Sequence, residues 1–278
     1  MDYPLTAILS DIHGNIHALD AALDYTRGAG VERYVCLGDV LGYGARPTEC
    51  LERIMELCVP QARDAGHPAG PRELAAGFCL LGNHEQALLK DPEDFNPKAR
   101  QAIEWTKAEV SEGRGDKQRS WAWWDFLGEL PDSVCDDLAL FVHGSPRDPV
   151  REYLLPSDAR NGIKMQACFE ALAGFERRLC FIGHSHVPAV YGQDGTVLRP
   201  RGHGETVAVN DEARGGVIVN VGSTGQPRDG DTRLSLVLFD GETVTFARLE
   251  YDHDRTAEEI RSTPGLPDYL AERLTVGR

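Results

Sequence analysis

The chain has 278 residues, 41% hydrophobic and 26% charged, the balance of a globular protein with a substantial core. With 29 basic and 44 acidic residues its net charge is −15, which disfavours polymeric nucleic acid and anionic lipid but not a small phosphorylated substrate held at a metal. Seven cysteines without a C-x-x-C pair argue against a cysteine zinc site and a disulfide framework; no apolar run approaches the ~18 residues of a membrane span, and residues 1–10 carry no Lys or Arg, so a cytoplasmic location is expected.

Leu5 to Ser10 is a short apolar run that ends at Asp11 and reads as a buried strand. Helical spacing follows in Ile16, Leu19, Ala22 and Leu23, and Gly28 and Gly30 stop it. Tyr34 to Leu37 is a second strand, ending at Gly38-Asp39, and a helix starts behind Pro47. This β-α-β-α opening is the mark of a layered α/β domain. Residues 60–71 are rich in Gly, Pro and Ala and read as a surface excursion. Phe78 to Leu81 is a third strand, ending at Gly82-Asn83-His84. Residues 98–110 read as a helix, and Trp121, Trp123 and Trp124 lie in another; the tryptophans suit packing better than a nucleobase platform.

Leu138 to Val142 is a strand ending at His143-Gly144, residues 157–175 a helix, and Leu179 to Ile182 a strand ending at Gly183-His184. Six short runs between Val187 and Leu249 then read as antiparallel hairpins, a meander after the βα units. Cys36, Cys79 and Cys180 lie in apolar runs and read as buried strand residues. One domain over 1–278 is expected.

Five strands end in a metal-competent residue: Asp11 with His13, Asp39, Asn83 with His84, His143, and His184 with His186. The spacings are 28, 44, 60 and 41 residues. Ligands gather beyond the carboxyl ends of strands in α/β sheets, so these distant positions converge. Taken singly each is weak: Asp11 could cap the helix that follows, and Asp39 could close a turn. Oxygen and imidazole donors without thiolate suit Mn, Fe, Zn, Co or Ni. Seven donors exceed the need of one tetrahedral ion and suit two ions, roughly 3.5–4 Å apart, that share a carboxylate.

The segments Asp11-Ile-His13, Gly38-Asp39, Gly82-Asn83-His84-Glu85, His143 and Gly183-His184-Ser-His186 resemble those of the calcineurin-like metallophosphoesterases, over Leu5 to about Phe239. The bacterial single-domain branch, which includes phosphodiesterases and diadenosine tetraphosphate hydrolases, is similar also in Gly42-Tyr43-Gly44-Ala-Arg46-Pro47, His143-Gly144-Ser145-Pro146 and the Gly222 to Gly230 stretch. The resemblance implies an α/β fold, a four-layer αββα sandwich of two mixed sheets flanked by helices, with the metals at one sheet edge. It implies two divalent or trivalent transition-metal ions, manganese or iron first. Asp11, His13 and His186 would hold one, Asn83, His143 and His184 the other, and Asp39 would bridge them. A bridging hydroxide would attack phosphorus, and His84 would donate a proton or hydrogen bond to the phosphoryl or leaving oxygen.

The substrate so implied is a small phosphodiester, phosphomonoester or dinucleoside polyphosphate, with no nucleic-acid polymer and no membrane as partner. A serine/threonine protein phosphatase, or a metal-binding scaffold without turnover, is the alternative. Glu85 stands where the family commonly has Asp, and Ser185 where it has Thr. The 60–76 and 201–216 segments look long and suggest a part in substrate access. Asn15, Tyr43, Arg46 and Arg228 are candidate substrate contacts; for the arginines the competing reading is a surface salt bridge, for Asn15 a helix cap, and for the Gly42-Tyr-Gly44 stretch a tight turn.

Overall fold

A computed structural model describes residues 3–58, 77–90, 95–210 and 214–278. The predicted 60–76 excursion lies outside the described residues. Thr6–Leu9 (β1), Arg33–Cys36 (β2) and Phe78–Cys79 (β3) are linked by the helices Ile16–Gly28 (α1) and Pro47–Cys58 (α2) and by residues 59–76. Asn83–Leu89 (α3), Pro97–Glu112 (α4) and Lys117–Gly128 (α5) follow. Next come Ser133–Cys135 (β4), Ala139–Val142 (β5), Gly162–Gly174 (α6) and Leu179–Ile182 (β6). The chain then adds Ala189–Gly192 (β7), Val197–Leu198 (β8), Glu205–Ala208 (β9), Val217–Asn220 (β10), Leu234–Phe239 (β11) and Thr243–Leu249 (β12). His253–Ser262 (α7) and Asp268–Leu274 (α8) close it; neither was foreseen from the sequence.

The strands form two six-stranded mixed sheets, ordered β3-β2-β1-β11-β12-β9 and β4-β5-β6-β10-β7-β8. Side chains alternate across each strand and so build layers. Ile8, Val35, Phe141 and Phe181 point into the core between the sheets. Ala7, Leu9 and Cys36 face the other way, against α1 and α2. Leu140, Val142 and Cys180 pack against Phe169 and Leu172 of α6. Helix, sheet, sheet, helix is thus the layer order. Cys36, Cys79 and Cys180 are buried free thiols, as expected. Trp123 is buried, whereas Trp121 is 64% exposed.

Three expectations change. The strands after residue 187 include the expected hairpins β7–β8 and β11–β12 but are not one meander: β9 belongs to the sheet of β12, and β10 lies between β6, which it pairs in parallel, and β7. Apolar residues on both faces of Val217–Asn220 allow a central position that local pattern does not reveal. The predicted 157–175 helix is interrupted: a 3-10 turn spans Pro156–Arg160, and α6 starts anew behind the Asn161 cap. In the 201–216 segment, β9 pairs with Thr243–Phe246 of β12; Thr243 lies near the register of Phe239, which pairs with Thr6 at the start of β1. That end of the sheet is opposite Asp11, so β9 does not border the ends of the strands where the candidate ligands lie.

Candidate metal centre

Asp11 and His13 follow β1, Asp39 follows β2, Asn83 opens α3 beyond β3, His143 follows β5, and His184 and His186 follow β6. The strands of both sheets therefore aim their carboxyl ends at one place, rather than along the edge of one sheet. Five of the seven residues have left-handed backbone: Asp11 (φ 54°), His13 (49°), Asp39 (53°), His184 (61°) and His186 (59°). Such conformations cost on the order of 1–3 kcal/mol each in non-glycine residues and persist where the surroundings over-determine them. The surroundings here are crossed backbone bonds: Asp11 N–H donates to Gly38 O at 3.1 Å and His13 N–H to Asp39 O at 2.9 Å. Glycine is required where these loops touch. A Cβ on Gly82 would fall on the Asp39 carboxylate, and one on Gly183 on the Ser10 hydroxyl.

Three groups bring ligand atoms within 4.8 Å of one another: Asp11, His13 and His186; Asp39, His143 and His184; and His13, Asp39 and His84. The first two match two sets of the sequence reading, and the Asn83 Oδ1 adds to the second at 3.1 Å from His143 Nε2. Asp39 Oδ2 lies 3.6 Å from His13 Nε2 and 3.4 Å from His143 Nε2, between the sets. The third group joins His84 to ligand-type neighbours, although the sequence reading sets it aside as a non-ligand.

Each imidazole is anchored by its far nitrogen. His13 Nδ1 donates to Leu41 O at 3.0 Å, His143 Nδ1 to Leu37 O at 3.0 Å, and His184 Nε2 to Arg151 O at 3.1 Å. His186 Nδ1 donates to Gln226 O. A histidine so held offers its other nitrogen as a lone pair. Those nitrogens face one another, His13 with His186 at 3.2 Å and His143 with His184 at 3.1 Å. Asp11 Oδ1 is buried without a hydrogen bond. Converging lone pairs and an orphaned carboxylate oxygen are what a pair of cations would satisfy, and the donor set fits one.

Electrostatics agree. Burial pushes the Asp11 carboxyl up, but the imidazoles of His186 and His143 together outweigh burial and hold it well below the usual range. Asp39 is held down likewise, by His143 and His84 against burial. Burial lowers His13, His186 and His184, the last to about 3, so these imidazoles are neutral. Burial also disfavours a proton on His143, but the Asp39, Asp11 and Glu85 carboxylates prevail and raise it to about 9. A metal would displace that proton. His84 is lowered to about 4, with burial the main cause. Its backbone N–H donates to Asp39 Oδ1 at 2.9 Å, and its ring packs against His13, Tyr43 and Phe95.

The four candidate substrate contacts separate. Tyr43 is at the centre, its ring 4.7 Å from that of His13. Arg228 is also close: its backbone N–H donates to His186 O, its Nη2 donates to Gln226 Oε1 at 2.8 Å, and its buried Nε has no hydrogen-bond partner. Arg46 is not brought to the centre but engages Glu259 at 3.0 Å and Glu49, the salt bridge weighed for it. Asn15 is the α1 cap: Oδ1 accepts from Ala18 N–H, and Nδ2 donates to Gly225 O at 2.8 Å. The cap is therefore Asn15 and not Asp11, whose Oδ2 accepts from His184 N–H.

Sequence reasoning missed three contributors. Glu85 is fully buried and accepts from the N–H groups of Asp39 (2.8 Å), Leu41 (3.0 Å) and Gly82 (3.1 Å), tying the β2 and β3 loops together. Its place three residues after the helix cap was the available signal. Tyr153 stacks on His184 at 3.7 Å, and Arg273 of α8 lies close enough to Arg228 for its charge to add to burial in lowering the Arg273 pKa, against the opposing effect of Tyr43. Nothing local marks either.

Residues 5–188 match the family model for calcineurin-like phosphoesterases. The chain is 31% identical to an uncharacterized protein of Methanocaldococcus jannaschii, covering 99% of this chain and 98% of that one. It is similar in structure to a metallophosphoesterase from Sphaerobacter thermophilus, with 34% identity, a TM-score of 0.77 and coverage of 99% and 100%. A hypothetical protein from Pyrococcus horikoshii shares the fold at 20% identity, with a TM-score of 0.72 and coverage of 99% and 98%. With its family segment holding all seven converging donors and its αββα layers matching over the full length, the chain belongs to the calcineurin-like phosphoesterase family.

Proposed function

We propose that this protein is a two-metal phosphoesterase that hydrolyses a small phosphorylated substrate. The observation that carries this reading is the set of four imidazoles, each anchored by one nitrogen to a backbone carbonyl and each aiming the other at Asp11, Asp39 or a second imidazole. Asp11, His13 and His186 hold one ion, Asn83, His143 and His184 the other, and Asp39 spans both. Two such ions, manganese or iron first, lower the pKa of water and clamp the attacking and leaving oxygens of an in-line displacement. The chain's own groups do the rest. Arg228 neutralises phosphoryl charge, Tyr43 fixes the His84 ring, and His84 donates a hydrogen bond or proton to the phosphoryl or leaving oxygen.

A compact substrate is favoured over a phosphorylated protein, because the cavity beside the centre has a volume of only about 250 Å³. No helix among the described residues is long and apolar enough to cross a membrane, and work on a small soluble phosphoester in the cytoplasm is consistent with that.

The test is turnover with Mn²⁺ on a bis-aryl phosphate, an aryl monophosphate, cyclic nucleotides and diadenosine tetraphosphate, with metal content measured alongside. Two ions per chain and chelator-sensitive hydrolysis of one class are expected. A chain loaded with two ions that hydrolyses none of them is a scaffold.

A further inference from the structure

We infer that Arg248 of β12 is a positioning residue: it takes up the Asp229 carboxylate and so keeps the neighbouring Arg228 in place, and unneutralised, for the phosphoryl group. The inference rests on the phosphoesterase reading above, which gives Arg228 that work.

The stretch from Arg228 to Asp231 is tied residue by residue to different parts of the fold. Arg228 N–H donates at 3.2 Å to O of His186, a proposed ligand of the first ion. Asp229 meets Arg248 through two nitrogens: Nη1 lies 3.0 Å from Oδ2, and Nη2 donates to Oδ1 at 3.2 Å. Gly230 N–H donates to Gly277 O at 2.9 Å. Asp231 lies 3.4 Å from Arg248 Nη2 and is bound in turn by Arg233 at 2.6 Å. Glycine is needed at 277, where φ is 62° and a Cβ would lie 2.6 Å from Asp231 O.

β12 is an inner strand, between β11 and β9, so the guanidinium that holds Asp229 stands on a rigid base. The Arg248 side chain is fully buried and that of Asp229 is 6% exposed. Burying such a pair adds little stability, since apolar residues of similar volume often serve as well or better. The pair therefore calls for a reason other than stability, and its neighbour supplies one. Asp229 adjoins Arg228 in the chain, but Arg248 occupies both of its oxygens. Among the described residues no carboxylate forms an ion pair with Arg228. Its Nη2 goes instead to the uncharged Gln226 Oε1, and its buried Nε has no partner. A guanidinium in such company keeps its charge for an anion.

The test is a mutant cycle with the Mn²⁺-loaded protein, on whichever ester of the turnover panel it cleaves fastest. Asp229→Asn combined with Arg248→Met removes both charges at once and leaves no buried ion unpaired. Its kcat/KM is expected to fall by about 10–10², the scale of an ångström's misplacement near a reacting group. In an Arg228→Gln background the same two substitutions change kcat/KM by less than about twofold, because the residue they act through is gone. Arg248→Met alone loses more than the double variant, since the freed Asp229 carboxylate pairs with Arg228. Should the double variant not fold, Arg248→Lys, which keeps the charge and forfeits the paired donors, is read in the same cycle.

Equal losses with and without Arg228 overturn the inference and leave the phosphoesterase reading in place. So does loss of a metal ion from the double variant by elemental analysis, which would make the pair a support of the metal centre. If the wild type hydrolyses none of the panel, calorimetric titration with inorganic phosphate replaces turnover. Binding weakened by the double substitution only while Arg228 is present upholds the inference, and unweakened binding overturns it. No phosphate binding to the wild type defeats the phosphoesterase reading, and the inference with it.

Discussion

His13 and His186 face each other Nε2 to Nε2 at 3.2 Å, and neither nitrogen carries a hydrogen to share, because each ring already donates from Nδ1 to a backbone carbonyl. Two buried lone pairs at that distance repel. They become favourable on either side of a cation, so metal binding and folding are linked. Mn²⁺ at about a hundred times its dissociation constant is expected to stabilise the fold by about 2.7 kcal/mol per site. Thermal unfolding with and without chelator checks this, and a melting temperature indifferent to metal would refute it.

Asp39 sits between the two sets, with Oδ2 near His13 and His143 and Oδ1 accepting from His84 N–H. Asn at this position keeps the shape and an acceptor oxygen but loses the charge that two cations share. Asp39→Asn is expected to hold less than one tightly bound ion per chain. Elemental analysis after desalting decides, and retention of both ions removes Asp39 as the bridge.

His84 contributes differently. Its ring is enclosed by His13, Tyr43 and Phe95, with Nδ1 buried and without a hydrogen-bond partner. His84→Ala is expected to keep both metals while kcat falls by about 10²–10⁴, the range for a lost proton or hydrogen-bond donor. Unchanged turnover would dismiss that role, and loss of an ion would assign His84 to the third ligand group.

The ends of the strands were legible because the chemistry is local: an apolar run buried on both faces stops at Gly and a polar residue, as in Leu37-Gly38-Asp39 and Ile182-Gly183-His184. The partition of strands between sheets was not, since Val217–Asn220 reads alike as a hairpin arm or a central strand, and only its long-range pairing with β6 and β7 decides. The cap of α1 was legible only in part. Asp11 and Asn15 are both cap-competent, and the left-handed backbone at Asp11, His13 and Gly14 postpones the helix. Tyr153 and Arg273 reach the centre from a loop and from α8, and contact between such distant segments leaves no spacing to read.

Backbone strain at the ligands yields a reversal of an ordinary rule. Glycine is usually less stable than alanine by about 0.4–1 kcal/mol, because it has more unfolded conformations to lose. His186 has φ 59°, where a Cβ costs roughly 1–2 kcal/mol. His186→Gly is therefore expected to be more stable than His186→Ala by about 1 kcal/mol. Both variants delete the same imidazole, so the cavity largely cancels between them. Urea unfolding in chelator reads the difference free of metal. His143 supplies the control: it is a buried candidate ligand too, but it is not among the residues of positive φ, so alanine should keep its advantage there. The reversed order at His186 beside the normal order at His143 would show that the fold sustains a strained backbone at His186, where the same left-handed turn aims the imidazole at Asp11. Alanine the more stable at both positions would mean that the turn is relaxed and costs the fold nothing.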